Sequence, residues 1–326
     1  MGKKITSLIM IVVLLLVGCS TNSTNTSEEI DGIKIGIMLS DVGLGDQSFS
    51  DLAFNGLIKA REELDILFDY RELKDTETYE KGLTELVETG NDVVVGLGFM
   101  VQEDLEKVAK KYPEQKFILI DSVSELENIT SITFKEDEGS FLAGVAAALA
   151  TKTNKLGFIG GADVPLINKF ARGFEQGAKT INPEIEVVVV YAGDFGNDKL
   201  GTDIATKMIA EGSDVLYAAA GFTGVGVLKE AQNKGVYAIG VDSDQYFYAE
   251  KAVMTSMLKN VDVALYQTIS SFKEKKELPK GLIQLGLKEN GVNLSPIRVI
   301  PFTQQQLKTI TDHKDDIIAG KITVNP

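Results

Sequence analysis

Val215-Leu-Tyr-Ala-Ala-Ala-Gly-Phe-Thr-Gly-Val-Gly-Val-Leu-Lys-Glu-Ala-Gln-Asn-Lys-Gly-Val-Tyr-Ala-Ile-Gly-Val-Asp242 is the stretch whose reading decides the fold. Its ends, Val215–Ala218 and Val236–Val241, are short apolar runs of the kind that form strands buried on both faces. Between them Thr223–Lys234 carries apolar residues at three and four spacing, which predicts a helix. Strand, helix and strand in this order make a βαβ unit, so the strands run parallel and the helix covers one face of their sheet.

The same alternation extends outward in both directions. Strands are expected at Ile33–Leu39, Val93–Leu97, Phe117–Ile120, Leu156–Ile159 and Glu186–Tyr191. Helices are expected at Ser50–Leu64, Tyr79–Glu88, Glu103–Lys111, Ser140–Thr151, Asn168–Thr180 and Asp203–Ala210. The roughly 294 residues involved exceed one core, so two lobes are expected. A break suggests itself after Ser131-Ile-Thr-Phe134, where Lys135-Glu-Asp-Glu-Gly139 interrupts two apolar stretches. From Val253 onward a long helix, Val261–Lys273, is followed by Leu282–Leu287, Arg298–Pro301 and a terminal helix, too little for a third lobe. The expected division is 33–133 with about 256–296 in one lobe, and 134–255 with about 297–326 in the other. The fold class is therefore α/β: two doubly wound parallel-sheet lobes joined by crossing strands, a clamshell that holds ligand between the carboxyl ends of facing strands.

The amino end reads differently. Lys3-Lys4, the apolar run Ile5–Val17 and Gly18-Cys19 have the order of a secretory signal. About thirteen apolar residues span roughly 20 Å as a helix, short of the ~30 Å hydrocarbon core. Leu16-Val17-Gly18-Cys19 looks like a lipobox, which makes residues 1–18 a signal peptide and Cys19 a lipid attachment point; the alternative is an ordinary signal peptide with an incidental thiol. Cys19 is the only cysteine, so the chain forms no internal disulfide. The polar tract through residue 32 has the composition of a disordered tether, with a mean reach of roughly 17 Å. Loss of residues 1–18 leaves 31 basic against 47 acidic side chains, a formal charge of −16. Such a body repels nucleic acid, so no nucleic-acid partner is expected.

The inventory argues against catalysis. The one histidine, His313, lies in Asp312-His-Lys-Asp-Asp316 and reads as a solvated surface residue. No histidine pair, second cysteine or calcium-loop spacing suggests a metal site, and no cofactor fingerprint is complete. Strand ends carry the interest instead. Gly221–Gly226 lies where backbone amides can hold a polar ligand, or where a tight turn simply needs small residues. Phe222 within it faces either a lobe's core or the cleft. The loop Ser40-Asp41-Val-Gly-Leu-Gly-Asp-Gln-Ser48-Phe49-Ser50-Asp51 gathers acids, hydroxyls and one aromatic. Asp41 can accept two hydrogen bonds and Phe49 can offer a flat face, while Ser48 or Ser50 either caps the helix or meets the ligand. Asp121 and Asp242 also follow strands; a lone carboxylate there is often a helix cap, but three in separate βα units suggest one shared site.

These residues resemble the basic membrane protein or purine nucleoside receptor family, lipoproteins that bind solute for nucleoside ABC importers. The resemblance runs through Asp41-Val-Gly with Asp46-Gln-Ser-Phe49, Ala109-Lys-Lys-Tyr-Pro113, Thr133-Phe-Lys-Glu136 to Ala147, Gly160-Gly-Ala-Asp-Val-Pro-Leu-Ile167, Ala218-Ala-Ala-Gly221 and Gly240-Val-Asp-Ser-Asp-Gln245. It implies that Phe49 and Phe222 stack on opposite faces of a base, that Asp41 and Asp121 hold the base edge or neighbouring polar groups, and that Asp242 with Lys259 takes the ribose hydroxyls. A phosphate would meet these carboxylates as like charges, so nucleotides should bind poorly. The chain departs from the family pattern in a first loop one residue shorter and in Ser50, where members commonly carry asparagine. The implied function is a non-enzymatic, membrane-tethered receptor on the extracytoplasmic face of the cell membrane, a monomer that delivers a nucleoside to an ABC permease. A regulatory lipoprotein of the same fold and a nucleoside hydrolase are the competing readings.

Overall fold

Apolar β-branched runs become central strands and the amphipathic segments become the helices covering them, as the βαβ pattern predicts. The structure is a computed structural model that describes residues 32–325; the expected signal peptide and residues 19–31 of the expected tether, with Cys19, lie outside the described residues. Five strands open the chain: β1 (Lys34–Met38), β2 (Leu67–Arg71), β3 (Val93–Leu97), β4 (Lys116–Ile120) and β5 (Ile129–Phe134). A second series follows: β6 (Lys155–Gly160), β7 (Glu186–Tyr191), β8 (Val215–Ala219), β9 (Tyr237–Asp242) and β10 (Val253–Lys259). Then come β11 (Gly281–Leu285) and β12 (Val292–Leu294). They form two six-stranded sheets, ordered β11-β5-β4-β3-β1-β2 and β12-β10-β9-β8-β6-β7. Both sheets are parallel except for the antiparallel pair β10–β12. The two orders correspond strand for strand, so β4 and β9 occupy the same place in their lobes.

The helices are α1 (Phe49–Leu64), α2 (Leu73–Thr76), α3 (Tyr79–Glu88), α4 (Gln102–Lys111), α5 (Glu136–Ala150), α6 (Pro165–Ile181), α7 (Asp198–Ala210), α8 (Gly221–Lys234), α9 (Val261–Lys275) and α10 (Gln304–Ile318). Central strands β3 and β8 are buried at every residue, which is why they read as unbroken apolar runs. Edge strand β2, Leu-Phe-Asp-Tyr-Arg, pairs with a neighbour on one side only, is nowhere fully buried and carries no such run.

The chain passes between the sheets after Phe134, between Lys259 and Gly281, and between Leu285 and Val292. Residues 256–259 and 292–294, expected with the first lobe, belong to the second sheet as the end of β10 and as β12, because β10 pairs with β9 and β12 pairs with β10. The expected element at Arg298–Pro301 is not a strand; the last strand is β12, upstream of it. His313 differs too: on α10 it is half-buried, 6.0 Å from the Phe141 ring, with Nδ1 2.7 Å from the Thr309 carbonyl.

Candidate functional site

Because both sheets are parallel, the carboxyl ends of their strands meet at one place, and a cavity opens there. From the first lobe it is lined by the β1 loop (Ser40, Asp41, Asp46), Phe49, Phe99 and Asp121; from the second by Phe170, Phe195, Gly221, Asp242 and Lys259.

Asp121 directly follows β4 and Asp242 ends β9, the corresponding strands of the two sheets. Both have left-handed backbones, with φ of 70° and 64°. A non-glycine residue pays roughly 1–2 kcal/mol for this conformation, so its recurrence at matched positions marks a place where carboxylate direction matters. Each carboxylate spends one oxygen on a contact from one lobe to the other. Asp121 Oδ2 accepts from Lys259 Nζ at 2.6 Å, and Asp242 Oδ2 accepts from Ser48 Oγ at 2.5 Å. Asp121 Oδ1 is buried without a partner among the described residues.

Lys259 ends β10 and is almost fully buried. Its ammonium is also 3.1 Å from Glu136 Oε1 and lies 5.1, 5.2 and 5.8 Å from the centres of the Phe49, Phe134 and Phe170 rings. Burial opposes its charge, but Asp121, Glu136 and Asp242 outweigh it and hold its pKa above the usual lysine range. Burial pushes the Asp242 carboxyl up to about 6, against the pull of Lys259 and the Ser48 hydroxyl.

The serines neither cap the helix nor line the cavity. Ser48 reaches across to Asp242, while Ser50 is buried behind Ser40, 2.7 Å between their hydroxyls. The start of α1 is instead capped by Asp46, whose carboxylate accepts from the amides of Ser48, Ser50 and Asp51 at 3.0, 2.7 and 3.2 Å. Of the other expected residues, Asp41, Phe49, Asp121, Asp242 and Lys259 converge on the cavity, Asp41 at its exposed rim. Phe222 does not line it. Helix α8 begins at Gly221, two residues before the expected start, and the 100° turn per residue that presents Gly221 to the cavity carries Phe222 off that face.

Phe99, Phe170 and Phe195 supply the aromatic surface that the sequence reading did not identify. Two of them have a local signal: Phe99 follows Gly98 at the end of β3, and Phe195 lies between Gly193 and Gly196 after β7, both in loops after strands. Phe170 has none, being one apolar residue among many on α6.

Residues 33–326 match the family described as ABC transporter substrate-binding protein, PnrA-like. The ABC transporter nucleoside-binding protein BmpA of Lactococcus lactis is 34% identical, over 96% of this chain and 95% of that protein. An uncharacterized lipoprotein of Pyrococcus abyssi is 34% identical, over 90% of this chain and 76% of that one. Among solved structures, an ABC transporter solute-binding protein of Aeropyrum pernix superposes with a TM-score of 0.81 at 31% identity, covering 89% of this chain and 92% of that one.

Proposed function

Since this chain belongs to the PnrA-like family of ABC transporter substrate-binding proteins, which are not enzymes, we propose that it captures a nucleoside between its lobes and presents it to an importer permease. The observation that carries this reading is the pair of strand-end carboxylates, one from each lobe, beside a cavity with aromatic rings on both sides. An unpaired buried carboxylate oxygen is costly, and Asp121 Oδ1 regains a donor if a ribose hydroxyl binds there. Asp242 accepts from Ser48 at Oδ2, which leaves Oδ1 for a ribose hydroxyl. The base stacks on Phe49 from the first lobe and on Phe195, in place of Phe222, from the second.

Stacking at about 1–3 kcal/mol per base and charge-assisted hydrogen bonds at about 1.5–3 kcal/mol each together support micromolar or tighter affinity. Three carboxylates, Asp121, Glu136 and Asp242, surround the buried cation Lys259, so a neutral nucleoside fits and a nucleotide phosphate is repelled. A purine suits the extended aromatic lining best. Ligand touches both lobes only when they are closed, so binding shifts the population toward that state. The closing bodies are the first sheet with α9 and β11, and the second sheet with α5, α6 and α10.

In this reading residues 1–18 direct export, lipid on Cys19 holds the protein at the extracytoplasmic face, and residues 19–32 leave it free to reach the permease. The test is calorimetric titration of the full chain in detergent micelles with guanosine, adenosine, inosine, uridine and cytidine. At least one purine nucleoside should bind at micromolar concentration or below, with its monophosphate much weaker. An absence of binding by all five would sink the proposal.

A further inference from the structure

Glu136 is the least expected member of the site. It opens α5 with none of its side chain exposed, and apart from two lysine ammonium groups its carboxylate oxygens have no hydrogen-bond partner among the described residues. Those lysines are Lys259, 3.1 Å from Oε1, and Lys169 on α6, 3.7 Å from Oε2. An isolated buried carboxylate is expensive unless it compensates another buried charge.

The topology shows which charge that is. Lys259 ends a strand of the second sheet, and α5 packs against that same strand. Asp121 follows a strand of the first sheet. Lys259 therefore has one ion-pair partner in its own lobe, Glu136, and one across the cleft, Asp121, with the Asp242 carboxylate of its own lobe adding a further negative charge nearby. When the lobes part Asp121 departs, while Glu136 stays. Without it, an ammonium flanked by Phe170 in its own lobe has only Asp242 nearby to hold its proton.

We propose that Glu136 is a positioning residue that keeps the Lys259 ammonium charged and aimed into the cleft before ligand arrives, so that the closing first lobe and the ligand meet a preformed cation. The groups facing Lys259 are Asp121 from β4, Glu136 from α5 and Asp242 from β9; Glu136 faces Lys169 from α6 as well. The proposal rests on the nucleoside reading for its binding readout and stands apart from it for its protonation readout.

The test uses the full chain in detergent micelles and the substitution Glu136→Gln, which keeps the shape and removes the charge. In ligand-free protein, NMR titration of the lysine ammonium groups should show Lys259 releasing its proton below the ordinary lysine value of about 10.4 in the variant and not in the parent. Purine nucleoside affinity should fall roughly tenfold at pH 7, and further as pH rises to 9, because the uncharged amine accumulates as pH rises through its lowered pKa. The parent should be flat over that window. A structural role alone would leave the pH profile unchanged. Lys259→Gln and the double variant Glu136→Gln/Lys259→Gln should bind equally, since Glu136 has nothing left to position.

An unshifted Lys259, a loss of affinity equal at every pH, or a double variant several-fold weaker than Lys259→Gln would overturn the proposal. If Glu136→Gln does not fold, Glu136→Asp, which withdraws the carboxylate by one methylene, takes its place with the same signs and smaller size. If the parent binds no nucleoside, the proposed function fails, and the ammonium titration still decides the role of Glu136.

Discussion

Asp242 is a carboxylate whose burial raises its pKa to about 6, with Lys259 and Ser48 pulling the other way and Asp121 and Asp46 adding to the rise. A raised carboxyl pKa means that the folded chain holds the proton more tightly than the unfolded one. The cost of the buried charge is fully present above about pH 6 and is relieved as pH falls from there toward about 4. Ligand binding should run the other way: protonation removes the charge that accepts a hydroxyl, so nucleoside affinity should fall below about pH 6. Asp242→Asn should flatten both profiles, read by melting temperature and by titration calorimetry across pH 5 to 8. The aromatic assignment separates in the same assay. Phe195→Ala should cost about 1–3 kcal/mol of binding, and Phe222→Ala, which alters no lining residue, less than about 0.5 kcal/mol. Asp121 and Asp242 were legible as residues at strand ends, because that position follows from hydropathy alone. Phe222 was not placed correctly because its direction depends on where α8 starts, and a shift of two residues rotates a helix by more than half a turn. Lys259 carried no signal beyond the family resemblance, since nothing in its neighbourhood in sequence reveals that three carboxylates surround it.

Among the elements, α5 and α6 determine how well the second lobe's side of the site is held, since they carry Glu136 and Phe170. They pack at glycine contacts: a Cβ added at Gly144 would stand 2.0 Å from the Phe174 carbonyl oxygen, and one at Gly177 1.9 Å from that of Phe141. Gly144→Ala should therefore destabilise the fold by about 1–3 kcal/mol, measured by urea denaturation, because two helix backbones must separate. On the first lobe, Asp46→Ala removes the acceptor for three amides of the α1 start and should cost about 1 kcal/mol in the same assay. It should also weaken ligand binding, since Phe49 is the first residue of that helix. Central strands such as β3, β4 and β8 were readable because burial on both faces demands unbroken apolar runs. Strand β10, Val-Met-Thr-Ser-Met-Leu-Lys, was not. Its buried Thr255 hydroxyl donates to the Ser295 carbonyl at 2.7 Å and its Ser256 amide to the Ser295 hydroxyl at 2.8 Å, and that partner, forty residues downstream of Thr255, leaves no periodic trace.

At the scale of the molecule, two sheets of equal order meet at the carboxyl ends of their strands, and the family's substrate-binding role follows from what that junction can enclose. The two-lobed α/β architecture was legible from the βα alternation; the paths between lobes were not, because β11 and β12 are short strands set by pairing rather than by pattern. No helix among the described residues is long and apolar enough to cross a membrane. A crystal structure of the protein with a bound purine ribonucleoside measures the central claim most directly. It should show the base against Phe49 with a second-lobe ring opposite, and ribose hydroxyls within hydrogen-bond distance of Asp121 Oδ1 and Asp242. A nucleoside seated outside the cavity, or within it with its ribose turned away from both aspartates, would contradict the account.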